Sequence, residues 1–153
     1  MKQLHLLLVD DEKRFLSTTR QLLENRGVVT STAESGREAL RIMEEKIIDV
    51  VVLDVKMPEM DGVETLRKIK SRHPLVEVIM LTGHASVDSA VDGMRLGAFD
   101  YLLKPCNVDD MLDKVKEAFD KKQATEEKIQ KVNVERMISH PMAVFDKGGQ
   151  DRD

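Results

Sequence analysis

Acidic residues, a hydroxyl and a lysine follow the apolar runs of this 153-residue sequence, each at the point where a run ends. Asp10 and Asp11 follow the first run, Asp54 the third and Lys104 the fifth, while Thr82 follows the fourth. Groups of these types can hold a cation and neutralise an anion, which is the chemistry of phosphoryl transfer. An aspartate carboxylate can also act as a nucleophile and form an aspartyl phosphate.

Three carboxylates brought together repel one another, so such a cluster either raises its pKa values or holds a cation. Oxygen ligands without histidine or cysteine suit a hard ion, Mg²⁺ before Zn²⁺. A lysine beside them can balance the acids or pair with a bound anion. We therefore expect a Mg²⁺ site with Asp54 as the phosphoryl acceptor, because Asp10 and Asp11 are better placed to share the metal.

The elements that must position these residues are strands and helices in alternation. The apolar runs predict strands at Leu4–Val9, Val28–Ala33, Val50–Leu53, Val76–Leu81 and Phe99–Leu103. Helical periodicity follows each run, so we expect an α/β fold, a doubly wound five-stranded parallel sheet with helices on both faces. Ligands bind such sheets at the carboxyl ends of the strands, where the polar residues fall.

Several helix boundaries and faces are also predicted. Gly27 is expected to end the first helix, Ser35 and Glu38 to form a capping box on the second, and Asn107 to cap the fifth. The apolar periodicity predicts an inward stripe on the first helix that consists of Phe15, Leu16, Thr19, Leu22 and Leu23. The corresponding stripe on the fourth helix consists of Val87, Ala90, Val91 and Met94.

Composition limits the classes of function. A net charge of −4 and 3% aromatic residues disfavour sequence-independent nucleic-acid binding and base stacking. The sequence has a single cysteine, so we expect no internal disulfide. It has no apolar run of membrane-spanning length, so we expect a cytoplasmic protein without membrane contact or direct nucleic-acid contact. Residues 1–120 are expected to form one domain, and residues 121–153 a charged tail with a helical extension followed by disorder.

Four segments, LLVDDE, DVVVLDVKMPEMDG, LTG and YLLKP, resemble the receiver domains of bacterial two-component response regulators in their order and spacing. The resemblance runs from about Leu4 to Phe119. It implies the flavodoxin-like strand order 2-1-3-4-5 and a signalling domain rather than an enzyme that acts on other substrates. The stretch from Leu81 to Cys106 is most similar to receivers that precede enhancer-binding transcriptional activator domains.

The resemblance implies a role for each residue near the acceptor. Asp54 would take the phosphoryl group from a sensor histidine kinase or a histidine phosphotransfer protein. Mg²⁺ would be bound by Asp11, Asp54 and the backbone carbonyl of Lys56, and Asp10 would act through a bound water. Thr82 would hydrogen-bond one phosphoryl oxygen.

The remaining implied roles concern the fifth strand and the loop after it. Lys104 would pair with a phosphoryl oxygen, and Pro105 would follow a cis peptide bond. Tyr101 would turn inward when Thr82 moves, which would change a face made by the fourth helix, the fifth strand and the fifth helix. That face would bind an unknown downstream protein or a second copy of the chain.

Simpler interpretations stay open for some of these residues. Asp10 and Asp11 could cap the first helix, Tyr101 could be a core residue that never moves, and Cys106 is expected to be a buried small hydrophobe. Three other classes of protein are weighed: a flavin-binding protein of the same fold, an aspartyl phosphatase and a degenerate receiver. The acidic first loop disfavours the flavin-binding protein, and the lack of a DxDx[TV] motif disfavours the phosphatase. A degenerate receiver is disfavoured because every motif position is filled.

Overall fold

The computed structural model describes residues 2–57, 59–83 and 87–139. For Val87, Ser89 and Ala90 it describes the backbone alone. The loop position of Pro58, the inward side chains expected at Val87 and Ala90, and the disorder expected in the last residues lie outside what is described.

Strands and helices alternate through the described residues. The strands are β1 His5–Val9, β2 Val29–Ala33, β3 Val50–Asp54, β4 Glu77–Thr82 and β5 Asp100–Leu103. The helices are α1 Lys13–Asn25, α2 Gly36–Glu45, α3 Gly62–Arg72, α4 Val87–Arg95 and α5 Val108–Ser139. Each observed strand boundary lies within one residue of the predicted boundary.

The sheet is parallel throughout, and its strand order is β2-β1-β3-β4-β5, which confirms the predicted fold. Side chains alternate between its faces, so β3 contributes Val50 and Val52 to one core and Val51 and Leu53 to the other. Helices α2 and α3 cover the face of Val51, whereas α1 and α5 cover the opposite face. Burial on both faces explains why the central strands are continuous apolar runs.

Local signals set the helix ends as predicted. Gly27, which follows the C-cap residue Arg26 of α1, adopts a positive φ of 82°, a conformation that glycine allows. The Ser35 hydroxyl caps α2 by accepting from the Glu38 backbone N–H at 3.1 Å. The reciprocal half of the predicted capping box is shifted by one residue, since the Glu38 carboxylate accepts from the Glu34 N–H at 3.3 Å and not from that of Ser35. Asn107 caps α5, since its side-chain oxygen accepts from the Asp110 N–H at 2.8 Å.

The predicted inward stripes of α1 and α4 are wrong in part. Leu22 is 39% exposed, Val91 43% and Met94 39%. Helix α4 turns Gly93 towards the sheet, where an added Cβ would lie 3.1 Å from Met80 Cγ. Periodicity could not show this face because a glycine does not register as an apolar residue. On α1, Leu22 lies beside the buried stripe and not within it.

The chain divides into two units, Met1–Lys122 and Gln123–Asp153. The first unit contains the whole sheet. In the second, the described residues belong to the end of α5 and expose five apolar side chains, those of Ile129, Val132, Val134, Met137 and Ile138. Among the described residues, no helix is long and apolar enough to cross a membrane. The division into residues 1–120 and 121–153 stays a prediction.

Candidate functional site

Strand order brings the predicted site residues together at the carboxyl edge of the sheet. Val9 pairs with Leu53 across β1 and β3, so Asp10 and Asp54, the residues that follow them, are neighbours. Asp54 pairs with Leu81 of β4, which places Thr82 next along that strand. The backbone N–H of Lys104 donates to the Thr82 carbonyl at 2.7 Å, which brings the end of β5 to the same edge.

Three carboxylates form the centre of this edge. Asp10, Asp11 and Asp54 each place an oxygen within 4.8 Å of the others. Asp10 and Asp54 are buried, whereas Asp11 is exposed. A group of oxygen ligands with one side open to solvent fits a hard divalent cation such as Mg²⁺, which keeps several waters when it binds. The cluster is therefore a candidate cation site.

Lys104 lies against this cluster with a half-buried side chain. Its ammonium nitrogen is 2.6 Å from Asp10 Oδ2 and 3.9 Å from Asp54 Oδ2. The other oxygen of Asp10 accepts a hydrogen bond from the Glu12 backbone N–H at 2.9 Å. This bond precedes α1, whose N-cap residue is Glu12 and which no described side chain caps, so the alternative of helix capping by Asp10 is wrong.

The environment of the cluster changes two pKa values. Burial and, after it, the charge of Asp10 raise the pKa of Asp54 from 3.8 to about 6, although Lys104 and a backbone hydrogen bond from Lys56 act against the shift. Burial alone would lower the pKa of Lys104, but the hydrogen bond to Asp10 and the charge of Asp54 raise it above its ordinary value. Asp54 is thus costly to ionise even with a charged lysine beside it. A bound cation would lower that cost, so the raised pKa favours a cation site at this edge.

The residues expected to respond to a phosphoryl group lie around the cluster. Thr82 is buried, and its hydroxyl donates to the Gly83 carbonyl at 3.0 Å. A Cβ added to Gly83 would have no heavy atom of the described residues within 4 Å. Tyr101 is 39% exposed and therefore does not fit the alternative of a fixed core tyrosine.

The loop after Lys104 agrees with one expectation and corrects another. The Lys104–Pro105 peptide bond is cis, as the resemblance implies. Cys106 is half-buried, so the expectation of a buried small hydrophobe is wrong in degree. Its thiol donates to the carbonyl of the next residue, Asn107, at 3.4 Å, and burial raises its pKa.

Sequence reasoning missed two residues that contact the site. Gly62 approaches the end of β3 so closely that an added Cβ would lie 2.4 Å from the Asp54 carbonyl oxygen. Its N–H donates to the Val55 carbonyl at 2.8 Å. Phe15 places its ring 4.8 Å from the Lys104 nitrogen. The sequence marked Gly62 as a loop residue, but nothing in it showed that Gly62 lies against the end of β3. Phe15 could not be distinguished from the other residues of the predicted inward stripe of α1.

A parallel sheet in this order, with carboxylates gathered at its carboxyl edge, is the arrangement of receiver domains. The chain belongs to the response regulator receiver family, because the family model described as "Response regulator receiver domain" matches residues 6–116. This assignment decides against the flavin-binding and phosphatase alternatives. Receiver domains are signalling domains that histidine kinases phosphorylate, and they generally bind Mg²⁺ at an acidic pocket.

Similar proteins support the same family. The chain is 40% identical to transcriptional regulatory protein ZraR of Klebsiella oxytoca over 108 residues, which are 71% of this chain and 24% of ZraR. It is 39% identical to DNA-binding transcriptional regulator NtrC of Escherichia coli K12 over 111 residues, 72% of this chain and 24% of NtrC. The chain therefore spans about a quarter of these curated relatives. Their identity as transcriptional regulators agrees with the resemblance found in the sequence.

Solved structures of receiver domains are also similar to this chain. A response regulator receiver domain protein from Clostridium thermocellum matches with a TM-score of 0.77 and 40% identity over 80% of this chain and 98% of that chain. The receiver domain of NtrX from Brucella abortus matches with a TM-score of 0.72 and 31% identity over 75% of this chain and 98% of that chain.

Proposed function

We propose that this receiver accepts a phosphoryl group on Asp54 from the phosphohistidine of a sensor histidine kinase or a histidine phosphotransfer protein, in a reaction that needs Mg²⁺. The observation that carries the proposal is the cluster of three carboxylates whose oxygens lie within 4.8 Å, with Lys104 against it. A donor of this kind implies a cytoplasmic location. The filled cluster also argues against a degenerate receiver.

The ligands proposed for Mg²⁺ are Asp11, Asp54 and the backbone carbonyl of Lys56, with Asp10 acting through a bound water. The donor set is entirely oxygen, and Asp11 is exposed, so one ligand is accessible to an entering ion. When bound, Mg²⁺ supplies charge neutralisation for the carboxylates and for the transferring phosphoryl group. The raised pKa of Asp54 supports the assignment, since it comes from burial first and the charge of Asp10 second, and a cation would favour the carboxylate form against both.

In the proposed transfer, a carboxylate oxygen of Asp54 attacks the phosphorus atom in line. The bond between phosphorus and the donor imidazole nitrogen breaks, and the nitrogen keeps the electron pair. The new phosphoryl group brings a charge of about −1.5 to −2. Lys104 moves from Asp10 towards a phosphoryl oxygen, and the Thr82 hydroxyl leaves the Gly83 carbonyl to donate to another oxygen. Attack of water on the phosphorus atom then breaks its bond to the Asp54 oxygen, which releases inorganic phosphate and restores the carboxylate.

We infer that the output is a change in the face built by α4, β5 and α5. Thr82 and Tyr101 are the proposed switch, in which Tyr101 turns from its exposed position as Thr82 moves. Three exposed apolar side chains, those of Val91, Met94 and Leu103, lie on these elements and suit contact with a partner protein or a second copy of the chain. Phosphorylation would shift the population between two packings of this face.

The downstream partner is proposed by class. ZraR and NtrC are transcriptional regulators, so we propose that this receiver controls a transcriptional output through a protein contact. We keep the prediction that the chain itself makes no direct contact with nucleic acid, which accords with its net charge of −4.

The test is intact-mass analysis after incubation with acetyl phosphate, with Mg²⁺ or with a chelator. We expect one labile phosphoryl adduct that requires Mg²⁺ and is absent from Asp54→Asn, a variant of the same size without the nucleophilic carboxylate. Asp113→Asn, which changes an exposed carboxylate on α5, should behave as wild type. A folded wild-type protein that gains no adduct would contradict the proposal, and an adduct on Asp54→Asn would move the acceptor to another residue.

A further inference from the structure

The ammonium group of Lys104 has an aromatic neighbour as well as two acidic ones. Its nitrogen lies 4.8 Å from the centre of the Phe15 ring, within the range of a cation–π interaction. Phe15 belongs to α1 and is half-buried, with its ring packed against the core that α1 and α5 share. Three contacts of different kinds therefore set the position of one flexible side chain.

These contacts do not all persist in the proposed reaction. The hydrogen bond to Asp10 at 2.6 Å dominates when no phosphoryl group is present, and Lys104 must loosen it to pair with a phosphoryl oxygen. The Asp54 contact, at 3.9 Å, changes as that carboxylate becomes the acceptor. The Phe15 ring carries no charge and takes no part in bond formation, so its contact can remain throughout.

We propose that Phe15 is a positioning residue that holds the ammonium group of Lys104 over the site while the lysine exchanges Asp10 for the phosphoryl group. The inference rests on the proposed function and deepens it. A lysine has four rotatable bonds in its stem, and this side chain is a quarter exposed, so without the ring it has solvent-directed conformations available. The ring favours the conformations that stay near Asp54.

The opposite edge of the sheet provides a matched control. There Lys121 places its nitrogen 5.6 Å from the centre of the Phe99 ring, and Phe99 is also half-buried against the same core. The two pairs have the same chemistry and lie at different ends of the strands. Replacing Phe99 by Leu removes a ring beneath a lysine without touching the carboxylate cluster.

The experiment compares Phe15→Leu, Phe15→Tyr and Phe99→Leu by the rate of Asp54 phosphorylation with acetyl phosphate and Mg²⁺. We expect Phe15→Leu to lower the rate at saturating acetyl phosphate by about three- to tenfold, since a partly desolvated cation–π contact has about that effect on an equilibrium. Phe15→Tyr keeps the ring face and should recover most of the rate. Phe99→Leu should react like wild type.

A nuclear magnetic resonance signature separates positioning from general loss of structure. The ε-methylene protons of Lys104 should show an upfield ring-current shift in wild type and Phe15→Tyr, and this shift should disappear in Phe15→Leu. Circular dichroism at the assay temperature checks that each variant is folded. If Phe15→Leu fails to fold, Phe15→Met, which is also apolar and lacks a ring, takes its place in the same comparison.

The outcomes separate this inference from the proposed function. If wild type gains no phosphoryl adduct, the proposed function fails and the inference fails with it. If wild type reacts and folded Phe15→Leu reacts equally fast, the positioning role alone is refuted. The role is also refuted if Phe15→Tyr is as slow as Phe15→Leu, or if wild type shows no ring-current shift at Lys104.

Discussion

The two edges of the sheet contain the same kinds of side chains in different proportions. At the amino edge, Asp49 accepts hydrogen bonds from the His5 backbone N–H at 2.8 Å and from Lys122 at 3.0 Å. Glu77 lies 3.6 Å from the Lys70 nitrogen and 3.1 Å from the Lys121 nitrogen. Each buried acid at this edge therefore has at least one lysine of its own.

At the carboxyl edge, by contrast, acids outnumber lysines. Asp10, Asp11 and Asp54 gather there, and among the described residues Lys104 is the lysine paired with this cluster. Strand β3 shows the difference most directly, because Asp49 precedes it and Asp54 ends it. One acid is neutralised within the protein, and the other has a pKa raised to about 6. The candidate site is therefore distinguished by an excess of acids over lysines and by a buried Asp54 whose pKa is raised by burial first and by Asp10 second.

The largest expected effect tests the amino edge. Asp49→Asn should destabilise the protein by roughly 2–4 kcal/mol, because it leaves the half-buried ammonium group of Lys122 without its carboxylate partner. The loss should be visible as a lower urea midpoint measured by circular dichroism. The phosphorylation rate of the folded variant should remain that of wild type. A variant as stable as wild type would show that the amino-edge pair is not structural.

The carboxyl end of β3 is held by close backbone contact, and this gives the second prediction. Gly62→Ala should cost about 1–3 kcal/mol of unfolding free energy, because its Cβ would lie 2.4 Å from the Asp54 carbonyl oxygen and 2.7 Å from Val55 Cα. Displacing that backbone should also slow phosphorylation of Asp54.

Gly36→Ala is the matched control for Gly62→Ala. There the added Cβ would meet the side chain of Thr65, between α2 and α3 and away from the carboxylates. We expect a similar loss of stability with an unchanged phosphorylation rate in the folded protein. Equal effects of the two substitutions on phosphorylation would contradict a specific role for the approach of Gly62 to Asp54.

The two edges also show what the sequence could and could not predict. The strands, their order and the gathering of Asp10, Asp54, Thr82 and Lys104 followed from apolar runs, from the family resemblance and from the rule that strand ends share an edge. Asp54 was separated from Asp49 by position, because Asp54 ends β3 at the carboxyl edge and Asp49 precedes it. The pairing of Asp49 with Lys122 joins residues 73 positions apart, which no local pattern reveals.

The wrong predictions of the inward faces of α1 and α4 also come from contacts that no local pattern reveals. Periodicity predicts which residues could face the core, but the crossing of the helix over the sheet decides which of them do. Gly93 contacts Met80 because α4 approaches the sheet closely there, and Val91 and Met94 remain exposed. The contacts of Phe15 and Gly62 likewise depend on backbone placement. The structure places the site residues, but their roles stay predictions, and these residues are Asp10, Asp11, Asp54, Lys56, Thr82, Tyr101 and Lys104.

The smallest expected effect is electrostatic and concerns Asp54 in the absence of Mg²⁺. Its pKa of about 6 in the folded protein exceeds the 3.8 of an unperturbed aspartate, so the folded state binds a proton more tightly than the unfolded state does. The stability of the wild type should therefore fall as the pH rises from about 4 to about 6, and this contribution should be constant above that range. At pH 7, Asp54→Asn should be more stable than wild type by about 1 kcal/mol, with allowance for solvent screening.

Urea unfolding at several pH values, with a chelator present, measures this difference. The wild-type curve should approach that of Asp54→Asn at low pH and separate from it as Asp54 ionises. Added Mg²⁺ at pH 7 should stabilise the wild type more than the variant, because a bound cation relieves the repulsion that ionised Asp54 creates. Parallel pH profiles would mean that burial and the charge of Asp10 do not raise the pKa of Asp54, and the contrast between the two edges would then rest on geometry alone.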